Sequence, residues 1–248
     1  MFAIPQNLQA VHAQIVHAEK ACQRPENSVK LLAVSKTFGV DAVLQALQAG
    51  QHAFGENYLQ EALEKIAAVQ AQVPLYAPLS TPEWHFIGPI QSNKTAPIAA
   101  HFAWVHTIER LKIAQRLSQQ RPPEMPALNV CIQVNISGEA TKSGVAVHEA
   151  LQLAREVQAL PHLRLRGLMA IPAPLSTDLA PDSAGVEQQF SAMQRLFADI
   201  KQALQSDDFD TLSMGMSSDL AIAIAHGATI VRIGTAIFGA RTYSTEKA

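Results

Sequence analysis

Apolar positions along this chain alternate between helical spacing and short continuous runs, and each change marks a new element. Leu8, Val11, Ile15, Ala18 and Cys22 recur at helical spacing, and the turn residues Arg24-Pro25-Glu26-Asn27 end that stretch. Leu31-Leu32-Ala33-Val34 is a short apolar run and predicts a buried strand. Val40, Val43, Leu44 and Leu47 then repeat on one helical face, and Gly50 stops the helix. Ala53-Phe54-Gly55 predicts a second strand, followed by a helix through Leu59, Leu63 and Ile66. Trp84 to Ile87 predicts a third, with a short helical segment after Gln91. Trp104-Val105-His106 predicts a fourth, leading into Ile108, Leu111 and Leu117 on a helix. Val130 to Val134 predicts a fifth, before a helix around Val147, Leu151, Ala154 and Val157. Leu165 to Ile171 predicts a sixth, before a long helix carrying Phe190, Met193, Leu196, Phe197, Ile200 and Leu204. Thr211-Leu212-Ser213 predicts a seventh, then a helix from Asp219 to Ala225, and Ile230 to Ile233 an eighth.

Short strands alternating with helices imply a parallel sheet with helices outside it. Eight such strands close a TIM-type (β/α)8 barrel, and 248 residues is the usual length of one. The expected organisation is one barrel domain over residues 1–248. An open, doubly wound sheet shares the alternation. Its dinucleotide-binding form is disfavoured because no GxGxxG follows the first strand. The stretch Pro172 to Gly185, rich in Pro, Ser and Asp, reads as a solvated connection, with a mobile lid as the sharper alternative.

Composition removes several function classes. The net charge is -2, from 19 basic and 21 acidic side chains, with no basic stripe for nucleic acid. Cys22 and Cys131 form no CxxC or Cys/His ligand pattern, and His85 and His106 lack metal spacing, so no metal is expected. No apolar run approaches the roughly 20 residues of a membrane span, and the polar, amphipathic opening segment leads to the expectation of no secretory leader. The expectation is a cytoplasmic, monomeric protein.

The polar residues cluster at strand ends. Ser35 and Lys36 end the first strand, Glu56 and Asn57 the second. Gln91, Ser92 and Asn93 follow the third, Asn135 and Ser137 the fifth, Ser213 and Ser217 the seventh, and Gly234 and Thr235 the eighth. In a barrel these meet at the carboxyl-end face, where barrel enzymes build their sites. Lys36 shares a strand face with Leu32 and Val34. If that face looks inward, its ammonium is partly desolvated and becomes a nucleophile toward an aldehyde. Taken alone it is an ordinary lysine at a strand end. Ser217 reads as a helix cap or an anion ligand, and Gly234-Thr235 as a turn or a place where backbone approaches a phosphate. Arg232 lies inside an apolar strand and needs a partner, either a carboxylate or the pyridine nitrogen of a cofactor.

Taken together, several motifs resemble one family. They are Leu32-Ala33-Val34-Ser35-Lys36, Phe54-Gly55-Glu56-Asn57-Tyr58, Trp84-His85-Phe86-Ile87-Gly88 with Gln91-Ser92-Asn93-Lys94, Gly167-Leu168-Met169, Ser213 to Ser217 and Arg232 to Gly239. The chain resembles the YggS/PROSC family of pyridoxal phosphate homeostasis proteins over almost its whole length. The resemblance implies a fold similar to the N-terminal barrel of alanine racemase, with pyridoxal 5'-phosphate held as a Schiff base on Lys36. It implies that Ser217, Gly234 and Thr235 hold the phosphate, that Arg232 faces the pyridine nitrogen and that Asn57 lies beside the ring. Lys142 resembles a second family lysine near the site. The segment Pro74 to Pro82 is longer than the family pattern, and Leu220-Ala221 replaces a commonly acidic position after Asp219.

A Schiff base alone does not make an enzyme. An always-charged arginine opposite the pyridine nitrogen disfavours the protonated ring that withdraws electrons best. The strands run to Ile233, so no second domain is expected to supply an opposing base. No residue is assigned a catalytic role. The expectation is a carrier or buffer of the cofactor, with apo forms of pyridoxal phosphate enzymes as possible recipients. The alternatives are an amino-acid-acting enzyme, such as a residual racemase, and a cofactor-free Schiff-base aldolase.

Overall fold

The structure is a computed structural model that describes residues 4–73, 81–139, 142–172 and 183–240. Most of the long Pro74 to Pro82 segment, and residues 173–182 of the suggested lid, lie outside the described residues.

The described residues form eight strands: β1 (Lys30–Val34), β2 (Ala53–Glu56), β3 (Glu83–Phe86), β4 (Trp104–Ile108), β5 (Leu128–Gln133), β6 (Leu163–Met169), β7 (Thr211–Ser213) and β8 (Ile230–Ile233). Each pairs in parallel with the next, and β8 returns to β1 to close the barrel. Outside them lie α1 (Ile4–Ala21), α2 (Val40–Gln48), α3 (Leu59–Gln72), α4 (Thr95–His101), α5 (Leu111–Gln120), α6 (Ala150–Gln158), α7 (Ser183–Leu204), α8 (Leu220–Ala225) and α9 (Thr235–Phe238). The expected order of elements holds. The four-residue α9 was not foreseen, because one turn is too short to display a helical repeat.

The strands are short and apolar because they are covered on both faces. Leu31, Ala33, Phe54, Phe86 and Val105 belong to the large core that also contains the inner faces of the helices, such as Val43 and Leu47 of α2 and Ile113 and Leu117 of α5. Alternate residues turn into the barrel. There Leu32, Ala53 and Ile230 form one small cluster, and Trp104, Cys131 and Met169 another. Gly167 sits where β7 comes closest to β6. Its φ is +155°, and a Cβ there would lie 1.7 Å from the Thr211 carbonyl oxygen.

Helix α1 covers the seam between β8 and β1, packing on α8, α9 and α2. Asn7 Nδ2 donates to the Ile237 carbonyl at 2.9 Å, which ties α1 to α9. At its other end the buried Glu19 carboxylate accepts from the Val29 N–H at 2.8 Å and the Asn27 N–H at 3.2 Å, fixing the entry to β1.

The barrel interior also holds two fully buried imidazoles, His85 and His106. The His85 ring stacks on Trp104, with centroids 5.3 Å apart and planes 5° apart. Burial pushes His85 down to about 4 and His106 well below the ordinary histidine value of 6.5. Both are therefore neutral in the fold and take up protons on unfolding near pH 6 to 5. The unfolded chain binds more protons in that window, so stability falls as pH drops from about 6.5 toward 4. Each histidine contributes a slope of about 1.4 kcal/mol per pH unit. Urea unfolding at a series of pH values measures this slope. A profile flat between pH 6.5 and 4.5 would mean that the imidazoles are not buried as neutral rings.

Candidate functional site

A pocket opens at the carboxyl ends of the strands. It is lined by Val34, Lys36 and Phe38 from the end of β1, Asn57 after β2, Ile87 after β3, Met169 and Ile171 around the end of β6, Met216 and Ser217 after β7, and Arg232, Gly234 and Thr235 from β8 and its exit. All six residues expected to hold a cofactor, Lys36, Asn57, Ser217, Arg232, Gly234 and Thr235, share this one pocket. Gln91, Ser92, Asn93, Asn135 and Ser137 do not line it. Asn135 instead organises the loop after β5, where its Nδ2 donates to the Glu139 carbonyl at 2.8 Å and its Oδ1 accepts from Gly138 N–H at 3.1 Å. Lys142 pairs with Glu139 at 3.0 Å and is likewise not among the pocket residues.

Lys36 is half-buried, and its two chain neighbours are held by a buried ionic cluster. Ser35 Oγ donates to Glu56 Oε1 at 2.6 Å, and Lys65 Nζ donates to the same oxygen at 2.7 Å. Lys65 also donates to the Ser35 carbonyl at 2.8 Å and to Glu61 Oε1 at 2.9 Å. Glu61 Oε1 in turn accepts from the Thr37 N–H at 2.6 Å, where the backbone is left-handed with φ +69°. Residues 35 and 37 are thus pinned from β2 and α3, which leaves little freedom to the backbone of Lys36. Burial raises the Glu56 carboxyl above its usual range, against the opposing pull of Lys65 and Ser35. Sequence reading missed this cluster. Its one signal was the Glu61/Lys65 spacing of four on a predicted helix.

Asn57 brings an unused acceptor to the pocket. Its Oδ1 is buried and has no hydrogen-bond partner among the described residues, a state that costs free energy unless a ligand donates to it. The backbone of Asn57 sits there because Gly88 has no side chain. A Cβ on Gly88 would lie 2.1 Å from the Asn57 carbonyl oxygen.

Arg232 is buried, and its partners differ from the carboxylate considered from sequence. Nη1 donates to the Ser213 carbonyl at 2.7 Å and to Ser213 Oγ at 3.0 Å, and Nη2 donates to the Ala170 carbonyl at 2.9 Å. Among the described residues no carboxylate lies within ion-pair distance of it. A cation can be held this way because carbonyl dipoles at the ends of β6 and β7 converge on it. Burial lowers the guanidinium to about 10, so it stays charged at neutral pH. These bonds leave Nε–H and one Nη2–H as further donors on a side chain that lines the pocket.

Ser217 is exposed at the pocket rim and does not cap a helix. The residue before α8 is Asp219, whose Oδ1 accepts from the Met216 N–H at 2.5 Å and closes the 216–219 turn. That leaves the Ser217 hydroxyl available to a ligand. Gly234 packs on β1, where a Cβ would lie 3.2 Å from the Val34 carbonyl oxygen. With Thr235 it opens α9, and the leading N–H groups of any helix lack partners within it. Among the described residues no group of three or more His, Cys, Asp and Glu could hold a metal ion, and no helix is long and apolar enough to cross a membrane.

Comparison with known proteins agrees with this architecture. Residues 6–242 match the family model of the alanine racemase N-terminal domain. The pyridoxal phosphate homeostasis protein of Pasteurella multocida is 57% identical over 242 residues, covering 97% of this chain and 99% of that one. The protein of the same name from Escherichia coli is 50% identical over 241 residues, covering 97% and 98%. Among solved structures, PipY of Synechococcus elongatus with PLP bound superimposes with a TM-score of 0.78 at 31% identity, over 95% of this chain and 100% of that one. Alanine racemase of Corynebacterium glutamicum, at 17% identity and a TM-score of 0.64, shares the fold over 63% of its length. A closed parallel barrel, a full-length match at this identity and the six residues gathered in one pocket make the chain a member of the pyridoxal phosphate homeostasis protein family.

Proposed function

We propose that this chain binds pyridoxal 5'-phosphate as a Schiff base on Lys36 and serves as an intracellular carrier or buffer of that cofactor. The observation that carries the reading is the meeting, in one pocket, of a half-buried lysine, a charged donor, an unpartnered acceptor and a hydroxyl-bearing rim. Pyridoxal phosphate supplies an aldehyde that condenses with an amine, a ring nitrogen that accepts a hydrogen bond, a ring hydroxyl and a phosphate dianion. Lys36 offers the amine, with its backbone neighbours clamped by Glu56, Lys65 and Glu61. Arg232 offers the donor for the ring nitrogen, and Asn57 Oδ1 an acceptor beside the ring. Ser217, Gly234 and Thr235 offer hydroxyl and backbone donors to the phosphate. The relatives' name and the PLP-bound neighbour support the same ligand.

The carrier role rests on what surrounds Lys36. Among the described residues lining the pocket there is no carboxylate, imidazole, phenol or thiol to act as a second acid or base. Racemisation and most amino-acid chemistry need such a group opposite the lysine. Arg232 remains charged, so it would donate to the ring nitrogen of a bound pyridoxal phosphate rather than accept a proton there, which disfavours the protonated ring that withdraws electrons best. The recipients that fit this reading are apo forms of pyridoxal phosphate enzymes.

The purified protein mixed with pyridoxal phosphate is expected to gain a visible band, and borohydride followed by peptide mapping to locate the adduct on Lys36. Lys36→Ala is expected to abolish both. An adduct on another lysine would remove the assignment. Overnight incubation with L-alanine and other amino acids, followed by chiral analysis, is expected to show no turnover. Turnover lost with Lys36→Ala would replace the carrier by an enzyme. The Lys65→Met change leaves Glu56 buried without its cation and is expected to cost about 3–5 kcal/mol of stability. Urea unfolding measures that loss. Lys65→Met should also slow formation of the visible band, because the backbone flanking Lys36 loses its clamp.

A further inference from the structure

Five side chains cross the barrel interior in one hydrogen-bonded line. Arg232 Nη1 meets Ser213 Oγ at 3.0 Å, and Ser213 Oγ meets His106 Nδ1 at 2.9 Å. His106 Nε2 meets His85 Nδ1 at 2.9 Å, and His85 Nε2 meets Glu83 Oε1 at 2.9 Å. Ser213, His85 and His106 are completely buried. The line begins under the pocket at the carboxyl ends of the strands. It ends at the opposite mouth, where Glu83 begins β3 and pairs with Lys30 at the start of β1.

The chemistry of the two ends fixes every proton between them. A guanidinium can only donate and an ionised carboxylate can only accept. Glu83 therefore takes its hydrogen from His85 Nε2. Burial keeps both rings neutral, so each imidazole carries one hydrogen. His85 Nδ1 is then bare and accepts from His106 Nε2. His106 Nδ1 is bare in turn and accepts the Ser213 hydroxyl hydrogen. With that hydrogen committed, Ser213 Oγ presents only lone pairs to Arg232. Every donor points from the cofactor pocket toward Glu83. Reversing any one bond would set two hydrogens, or two lone pairs, against each other somewhere along the line. Trp104, stacked on His85, holds that ring in the plane the line requires.

We propose that His106 and His85 are positioning residues of the cofactor site, transmitting the negative charge of Glu83 at the amino-end mouth to the orientation of Arg232 beneath the pocket. The inference rests on the reading of that pocket as a pyridoxal phosphate site. Arg232 has no carboxylate of its own in ion-pair contact among the described residues. Two of its three bonds go to backbone carbonyls, and the third goes to Ser213 Oγ, whose hydrogen His106 takes and whose lone pairs are thereby turned to Arg232. Hydrogen bonds in series polarise one another, so the charge at one end strengthens the donor at the other.

Two measurements decide this. Nitrogen-15 NMR of the histidine side chains in the cofactor-free protein is expected to find both His85 and His106 as neutral Nε2–H tautomers. An Nδ1–H tautomer or an imidazolium at either ring at neutral pH overturns the line, whatever the pocket binds. The second compares Glu83→Gln with Asp210→Asn. The Gln amide oxygen still accepts from His85, so this change removes the charge alone. Asp210 pairs with Arg166 at the same mouth but stands off the line. After reconstitution with pyridoxal phosphate, Glu83→Gln is expected to move the visible band and weaken binding about three- to tenfold. Asp210→Asn is expected to leave both unchanged. Equal effects from the two variants would reduce the result to general mouth electrostatics, and no effect from Glu83→Gln would end the proposal. If the wild-type protein takes up no pyridoxal phosphate, the functional reading falls and the cofactor role with it, while the tautomers still decide the line by themselves.

Discussion

The pairing of β8 with β1 is the contact on which the site depends. It sets Leu32 beside Arg232 and Ala33 beside Ile233, and so brings the first and last strands into one rim. Lys36 leaves that rim from one side, and Gly234 and Thr235 leave it from the other. The register matters as much as the closure. A slip of one residue would turn Arg232 out of the barrel toward the helices and replace it in the interior by an apolar neighbour. Gly234 lies against the Val34 carbonyl, so the two strand exits stay close where the pocket needs them. Helix α1 then lies over the seam and is tied to α9 through Asn7.

Within the closed barrel, polar groups occupy space that aliphatic layers would fill more cheaply. Burying Arg232, His85, His106 and Ser213 sacrifices their hydration, and hydrogen bonds recover it only when every group has a partner. Here the partners are carbonyls at strand ends, a hydroxyl and two rings with complementary donors and acceptors. The outcome is one arrangement of side chains under the pocket rather than several of similar energy. The Glu56, Lys65 and Glu61 cluster does the same for the backbone on either side of Lys36. Rigidity of this kind gives Lys36 one place on the pocket wall. On the pocket wall the buried Asn57 Oδ1 has no hydrogen-bond partner among the described residues.

Much of this was legible beforehand, for a physical reason in each case. The strand-helix alternation is written in local periodicity, because burial on one face of a helix or both faces of a short strand constrains neighbouring residues directly. That Lys36, Asn57, Ser217, Gly234 and Thr235 share one rim was legible because polar residues at the ends of apolar strands have one natural destination in a barrel. Arg232 was found because a guanidinium within an apolar strand demands partners. Its partners were not found, since backbone carbonyls at Ala170 and Ser213 carry no side-chain signature. His85 and His106 passed as unremarkable, and Lys65 as an ordinary residue of a helix. The short α9 was missed for want of a repeat long enough to read, and the 216–219 turn closed by Asp219 because its partner is a backbone N–H.

The sequence alone determined the number and order of the strands and the set of residues at their exits. Those follow from interactions among residues close in the chain. Only the tertiary structure decided which polar groups touch. His106 and Ser213 are 107 positions apart, and Arg232 meets a carbonyl 62 positions away. Such contacts depend on strand register and barrel closure, which act on all eight strands at once and leave no local pattern from which a single partner can be read.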